Sequence, residues 1–287
     1  MYASPFMGGG NLKKIAVVND ISGFGRCSMT AALPVLSVLK TECCPLPTAI
    51  LSNQTGYDSF YCDDFTDRME RYIDEWRTLG VRFDGILTGY LASAAQADIL
   101  LRFLDEFKTD TTLYVCDPVM ADDGRVYDTY TAALCEKIAL LSKRANVLTP
   151  NLTELCLLTQ TDFYALQAQS DAPSYAQKIA CLAAGLLSGT LHTVVVTGVC
   201  VGNEILNISV TKDGFSVVKG KRIGGSFSGT GDLFSAVLTG SLVNGATAEH
   251  AVQKAVRFIE ASIGDSFKEG TNRNDGVNFQ KYLEMLL

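Results

Sequence analysis

Short, continuous apolar runs, each followed by small and polar residues and then by a helix-period pattern, constrain this chain more than any other feature. The runs lie at residues 15–18, 45–51, 84–88, 112–116, 145–148 and 193–196. A strand that is apolar on both faces belongs in a parallel sheet covered by helices on both sides. Helical patterns at 29–39, 63–76, 94–107, 129–143, 174–187 and 247–263 separate or follow the runs. In the second of them, opened by Asp63 and Asp64, Phe65, Met69, Tyr72, Ile73 and Trp76 recur at three- and four-residue steps. Strands joined by helices imply right-handed crossovers, so the predicted fold is α/β: a doubly wound, mostly parallel central sheet flanked by helices. Residues 204–210 and 214–218 alternate apolar and polar around Lys212-Asp213-Gly214 and predict a small antiparallel hairpin. Residues 278–287 read as a last short helix. The 287-residue chain is 47% hydrophobic, enough for a full core, and residues 13–287 read as one domain. The glycine-bearing residues 1–12 read as a flexible tail or an expression remnant.

Composition removes several functions. A net charge of −7 without a basic block argues against a nucleic-acid partner. No stretch approaches the roughly 20 apolar residues of a membrane span, and the start lacks the basic and apolar segments of a secretory signal. The nine cysteines are odd in number and mostly inside apolar segments, as Cys116, Cys156, Cys181 and Cys200 are, which favours reduced thiols and a cytoplasmic protein. The two histidines, His192 and His250, have no neighbouring candidate ligands. A zinc site or a Ser-His-Asp hydrolase is therefore not expected, and any base should be a carboxylate.

In a doubly wound sheet, ligands bind outside the carboxyl ends of the strands. Asp20 and Ser22, the loop from Ser52, Gly89-Tyr90, Asp117 and Asp122, Asn151 and Glu154, Thr197 and the turn at Gly229 all follow strands, so all fall on one rim. In Gly229-Thr230-Gly231-Asp232 the glycines allow consecutive N–H groups to converge at the start of a helix, where an anion is held. Asp232 has two readings there: a base that accepts a hydroxyl proton, or a helix cap. Asn151 and Glu154 likewise could form a capping box. Asp117, Asp122, Glu154 and Asp232 in one crevice would repel one another unless a cation such as Mg²⁺ lay among them. The segment Gly23-Phe24-Gly25-Arg26-Cys27-Ser28 approaches a dinucleotide fingerprint but lacks its third glycine and its distal acidic residue.

Three ordered motifs, Asp117-Pro118-Val119-Met120, Thr149-Pro150-Asn151-Leu152-Thr153-Glu154 and Gly229-Thr230-Gly231-Asp232, make the chain resemble the ribokinase-like superfamily. Within it, the chain resembles the pyridoxal (pyridoxine, pyridoxamine) kinases and the hydroxymethylpyrimidine kinases. The resemblance implies that Asp232 is the base and that Gly229, Thr230 and Gly231 form the anion hole. It implies that Asp117, Asp122, Asn151 and Glu154 arrange Mg²⁺ and the ATP phosphates, with Thr197 and Thr230 also at the nucleotide. Asp20, Ser22, Thr48 and Tyr90 would hold the vitamin ring. A monovalent cation such as K⁺ and a homodimer are further implications. Ala121 stands where the family usually has glycine. Asp20-Ile21-Ser22-Gly23 looks like the hydroxymethylpyrimidine branch, whereas Thr88-Gly89-Tyr90-Leu91 and Ser52-Asn53-Gln54-Thr55 lean toward the pyridoxal branch. The expectation is thus a B6-vitamer kinase. A hydroxymethylpyrimidine kinase and a non-catalytic nucleotide or pyridoxal phosphate sensor are the alternatives.

Overall fold

The computed structural model describes residues 12–287. The expected tail lies outside them, except for Leu12.

The strands, in chain order, are β1 (Lys13–Ser22), β2 (Thr41–Leu51), β3 (Cys62–Asp64), β4 (Gly85–Thr88), β5 (Leu113–Cys116), β6 (Ala121–Asp122), β7 (Arg125–Val126), β8 (Val147–Leu148), β9 (Thr193–Val201), β10 (Glu204–Thr211) and β11 (Gly214–Lys221). All but β6 and β7 join one nine-stranded sheet in the order β11-β10-β9-β8-β5-β4-β1-β2-β3. From β2 through β1, β4, β5 and β8 to β9 every pairing is parallel. The edges are antiparallel: β3 pairs with β2, and the expected hairpin, β10 with β11, continues the sheet beyond β9. Because β1 lies between β2 and β4, the chain changes winding direction there, which opens a crevice at the ends of β1 and β4.

Alternation within the buried strands divides the core. Ala16 and Val18 of β1 face one cluster with Ile86, Tyr114, Leu148 and Val194; Ile15 and Val17 face the other with Leu87, Val115, Val147 and Val195. The first cluster is covered by α2 (Thr66–Thr78), α3 (Ala94–Phe107), α4 (Ala132–Arg144), α5 (Leu152–Thr159), the short α6 (Phe163–Gln167) and α7 (Tyr175–Ala184). The second is covered by α1 (Ser28–Val38), α8 (Thr230–Val243) and α9 (Ala248–Lys268). The tail expected to be helical, Phe279–Leu286, is a 3₁₀ helix seated on α9.

Two local expectations change. Asp63 and Asp64 do not open a helix; with Cys62 they form edge strand β3, and the helix begins at Thr66 after Asp64 Oδ1 has accepted its backbone N–H (2.8 Å). The stretch after Asp117 folds back as the β6–β7 hairpin, so α4 starts at Ala132, with Thr131 as its cap.

Candidate active site

Helix α8 is preceded at its N-cap by Gly229, whose φ of 79° is left-handed and which offers no side-chain cap. The first N–H groups of α8 therefore lack both an intrahelical acceptor and a cap, the condition for holding an anion. A Cβ on Gly231 would stand 4.0 Å from Asp117 Oδ2, which puts that carboxylate beside the turn.

Asp232 does not cap its own helix. Its Oδ1 accepts a hydrogen bond from Asn19 Nδ2 (3.0 Å), across the crevice at the end of β1. Asn19 Oδ1 accepts in turn from the backbone N–H groups of Asp20 and Tyr90, each at 3.0 Å. By surface Asp232 is only half-buried, yet protein atoms surround its carboxyl closely enough that desolvation pushes it up to about 6. The Ser28 backbone N–H and the Asn19 amide act against that rise, and Asp20 adds to it. Asp117 is also held well above the carboxylate range, by burial first and by the charge of Asp232 second. A base with a raised pKa, a second carboxylate beside it and bare helix N–H groups can together take a hydroxyl proton and stabilise an anionic group.

The capping box expected at Asn151 is present. Asn151 Oδ1 accepts from Glu154 N (2.9 Å), and Glu154 Oε2 accepts from Asn151 N (2.9 Å). The same two side chains also hold the segment after Asp117: Glu154 Oε1 accepts from Met120 N (3.0 Å), and Asn151 Nδ2 donates to Ala121 O (2.7 Å). Both oxygens of the buried Glu154 are thus already engaged by backbone, and burial raises its carboxyl strongly. Asp122, at the tip of the segment, is exposed by surface and accepts from Asp123 N, though desolvation in the crevice and the adjacent Asp123 still raise its carboxyl. Ala121 has no left-handed φ, so its backbone does not call for the glycine that the family resemblance implies there; the left-handed positions fall at Asp123 and Gly124. Among the described residues, no three His, Cys, Asp or Glu side chains are close enough to hold a metal unaided.

Thr197, on β9, bridges to Asn151 and donates its N–H to Pro150 O (2.9 Å), next to the capping box. Thr230, in the first turn of α8, donates its hydroxyl to Phe227 O (3.2 Å). The residues expected around a ring lie toward the carboxyl ends of β1 and β2 and just after β4. Asp20 is buried, its Oδ2 accepts from Ser22 Oγ (2.9 Å), and burial raises its carboxyl. Thr48 is fully buried on β2 with its hydroxyl unpartnered. Tyr90 meets Tyr130 edge to face at 6.0 Å, and burial lifts its phenol to about 12.

Sequence reasoning passed over three contributors. Asn19 puts a polar side chain directly after the apolar run of β1, a visible signal. Tyr127 follows the β6–β7 hairpin, and the charges of Asp122, Glu154, Asp117 and Asp232 all act on its phenol, which burial raises. The Ser28 N–H could not have been linked to Asp232 from local pattern.

Residues 31–277 match the phosphomethylpyrimidine kinase family model. The chain belongs to this family, on the ribokinase-like fold. It is 30% identical over 250 residues to the pyridoxine/pyridoxal/pyridoxamine kinase of Bordetella avium, covering 84% of this chain and 81% of the relative. A Bacteroides thetaiotaomicron structure assigned as a phosphomethylpyrimidine kinase superposes with a TM-score of 0.90 at 35% identity, covering 98% of this chain and 96% of that one. A second crystal form of that protein was obtained with pyridoxal. Pyridoxal kinase from Lactobacillus plantarum superposes with a TM-score of 0.86 at 26% identity, covering 96% and 97%.

Proposed function

We propose that this protein is an ATP-dependent kinase that phosphorylates the 5′-hydroxymethyl group of a B6 vitamer, working through one domain over residues 13–287. The observation that carries this reading is the position of Asp232, half-buried beside the bare N–H groups of α8 and tied by Asn19 to the strand ends where Asp20, Ser22, Thr48 and Tyr90 gather.

Asp232 takes the proton of the hydroxymethyl group as its oxygen attacks the γ-phosphorus of ATP, and the N–H groups from Gly229 to Gly231 stabilise charge on the transferred group. None of the ion pairs among the described residues involves Asp117, Asp122, Glu154 or Asp232. Unpaired carboxylates of this kind suit Mg²⁺, which Asp117 and Asp122 would hold. The ion, when bound, offsets the charge of the phosphate oxygens. Asn151 and Glu154 keep the Asp117 segment in place, and Thr197 and Thr230 lie toward the nucleotide. A K⁺ requirement, a homodimer and residence in the cytoplasm complete the reading. The last is supported by nine cysteines that are all free thiols.

The family match and Asp20-Ile21-Ser22-Gly23 favour hydroxymethylpyrimidine as a second substrate candidate. The deciding experiment offers pyridoxal, pyridoxine, pyridoxamine and hydroxymethylpyrimidine to the purified protein with ATP, Mg²⁺ and K⁺, and measures each phosphorylated product. Turnover of B6 vitamers well above the pyrimidine is expected. Turnover of the pyrimidine alone would leave Asp232 as the base and overturn the vitamer assignment.

A further inference from the structure

Asn19 is 4% exposed and has both side-chain polar atoms engaged. The amide has only one possible orientation. Two backbone N–H groups, of Asp20 and Tyr90, converge on one end of it, so that end must be the oxygen. The other end is then the NH₂ group, and it meets Asp232 Oδ1. Gly89 leaves the space for this arrangement, since a Cβ there would stand 2.6 Å from Asn19 Nδ2. The side chain thereby locks together β1, the turn after β4 and the first turn of α8.

We propose that Asn19 is a positioning residue for phosphoryl transfer: by holding Oδ1 of Asp232 it fixes the rotamer in which the carboxylate takes the substrate proton. In the step, the substrate O–H bond breaks with its proton going to the Asp232 carboxylate. The freed electron pair forms the bond to the γ-phosphorus, and the bond from that phosphorus to the ADP oxygen breaks. The assignment rests on the kinase reading above. The bond to Tyr90 N also sets the ring pocket in register with the base, since one amide holds both.

The alternative is that Asn19 only secures the strand-end loop. A double-mutant cycle separates the two roles, because a residue that acts through Asp232 has nothing left to act on once the base is gone. Asn19→Ala should lower kcat about ten- to hundredfold while the KM for ATP stays within about twofold. In the Asp232→Asn background the same substitution should change the residual rate by less than about twofold. Gly89→Ala, which displaces the amide without altering Asn19 or Asp232, should repeat both results and carries the test if Asn19→Ala folds poorly. An equal loss in both backgrounds, or an unchanged kcat in Asn19→Ala, overturns the proposal while leaving the kinase reading intact. A wild-type protein that forms no phosphorylated product, and that Asp232→Asn does not alter, overturns the kinase reading and this assignment with it.

Discussion

A Cβ placed on Gly229 would stand 2.0 Å from the carbonyl oxygen of Arg26, so the loop after β1 and the first turn of α8 touch backbone to backbone. The contact is what allows a side chain at residue 19 to reach one at residue 232. Arg26 is fixed from its other end by Nη1 donors to Asp275 O and Gly276 O (2.8 and 2.9 Å) and by Nη2 to Asn278 Oδ1 (2.7 Å), so it cannot retreat.

Gly229→Ala should accordingly be severe. The φ of 79° and the overlap with Arg26 together are expected to cost about 3 kcal/mol or more. The remaining folded protein should turn over about a hundredfold more slowly, because the base has moved from the strand ends. Thermal unfolding and steady-state kinetics check both; near-normal turnover would mean that the two loops need not touch.

Asp232→Asn keeps the shape and removes the proton acceptor. Turnover should fall about 10²- to 10⁴-fold, with ATP affinity by calorimetry nearly unchanged. An Asn variant with close to normal turnover would end the base assignment.

The pH dependence follows from the same carboxyl, which is raised from 3.8 to about 6. As the base must be ionised, kcat/KM for the vitamer should climb as pH rises through about 6 and level off above it. Stability moves the other way. A group whose pKa is raised on folding binds its proton more tightly in the folded chain, so its contribution is full below about 3.8 and is lost as pH rises through about 6. Asp232→Asn, which cannot ionise, should therefore unfold about 2–4 °C above the ligand-free wild type at pH 8 and close to it near pH 4. Equal melting temperatures at pH 8 would show that Asp232 is not strained by its charge.

Thr48→Val replaces an unpartnered buried hydroxyl with a methyl of the same shape. The ligand-free protein should lose no stability and gain up to about 1 kcal/mol. The KM for the vitamer should rise about tenfold if the hydroxyl binds the ring, a loss of roughly 1.4 kcal/mol. A destabilised variant with an unchanged KM would assign Thr48 to the core alone.

The central architecture was legible because both-face burial leaves continuous apolar runs, as at Ile15-Ala16-Val17-Val18. Alternation exposed the β10–β11 hairpin, and an Asn three residues before a Glu exposed the capping box of α5. Strand β3 was hidden because Cys62-Asp63-Asp64 has the composition of a helix start; only the free edge of β2 makes it a strand. The rim rule brought Asp20, Asp117, Glu154 and Asp232 to one end of the sheet, but not the use to which each oxygen is put. Glu154 spends both on backbone, and Asn19 serves a partner 213 positions away, which no local periodicity encodes.

That separation also sets a schedule for synthesis. At roughly 5–20 residues per second, the 213 positions between Asn19 and Asp232 take a ribosome roughly 10–40 s to add. Through that interval the growing chain carries the strand ends of the proposed ring pocket with no carboxylate for Asn19 to hold. The segment that anchors Arg26, around Asp275 and Asn278, arrives later still. On the proposed mechanism an unfinished chain is therefore unable to spend nucleotide, and the transfer becomes possible only when the last-made part of the protein has closed on the first.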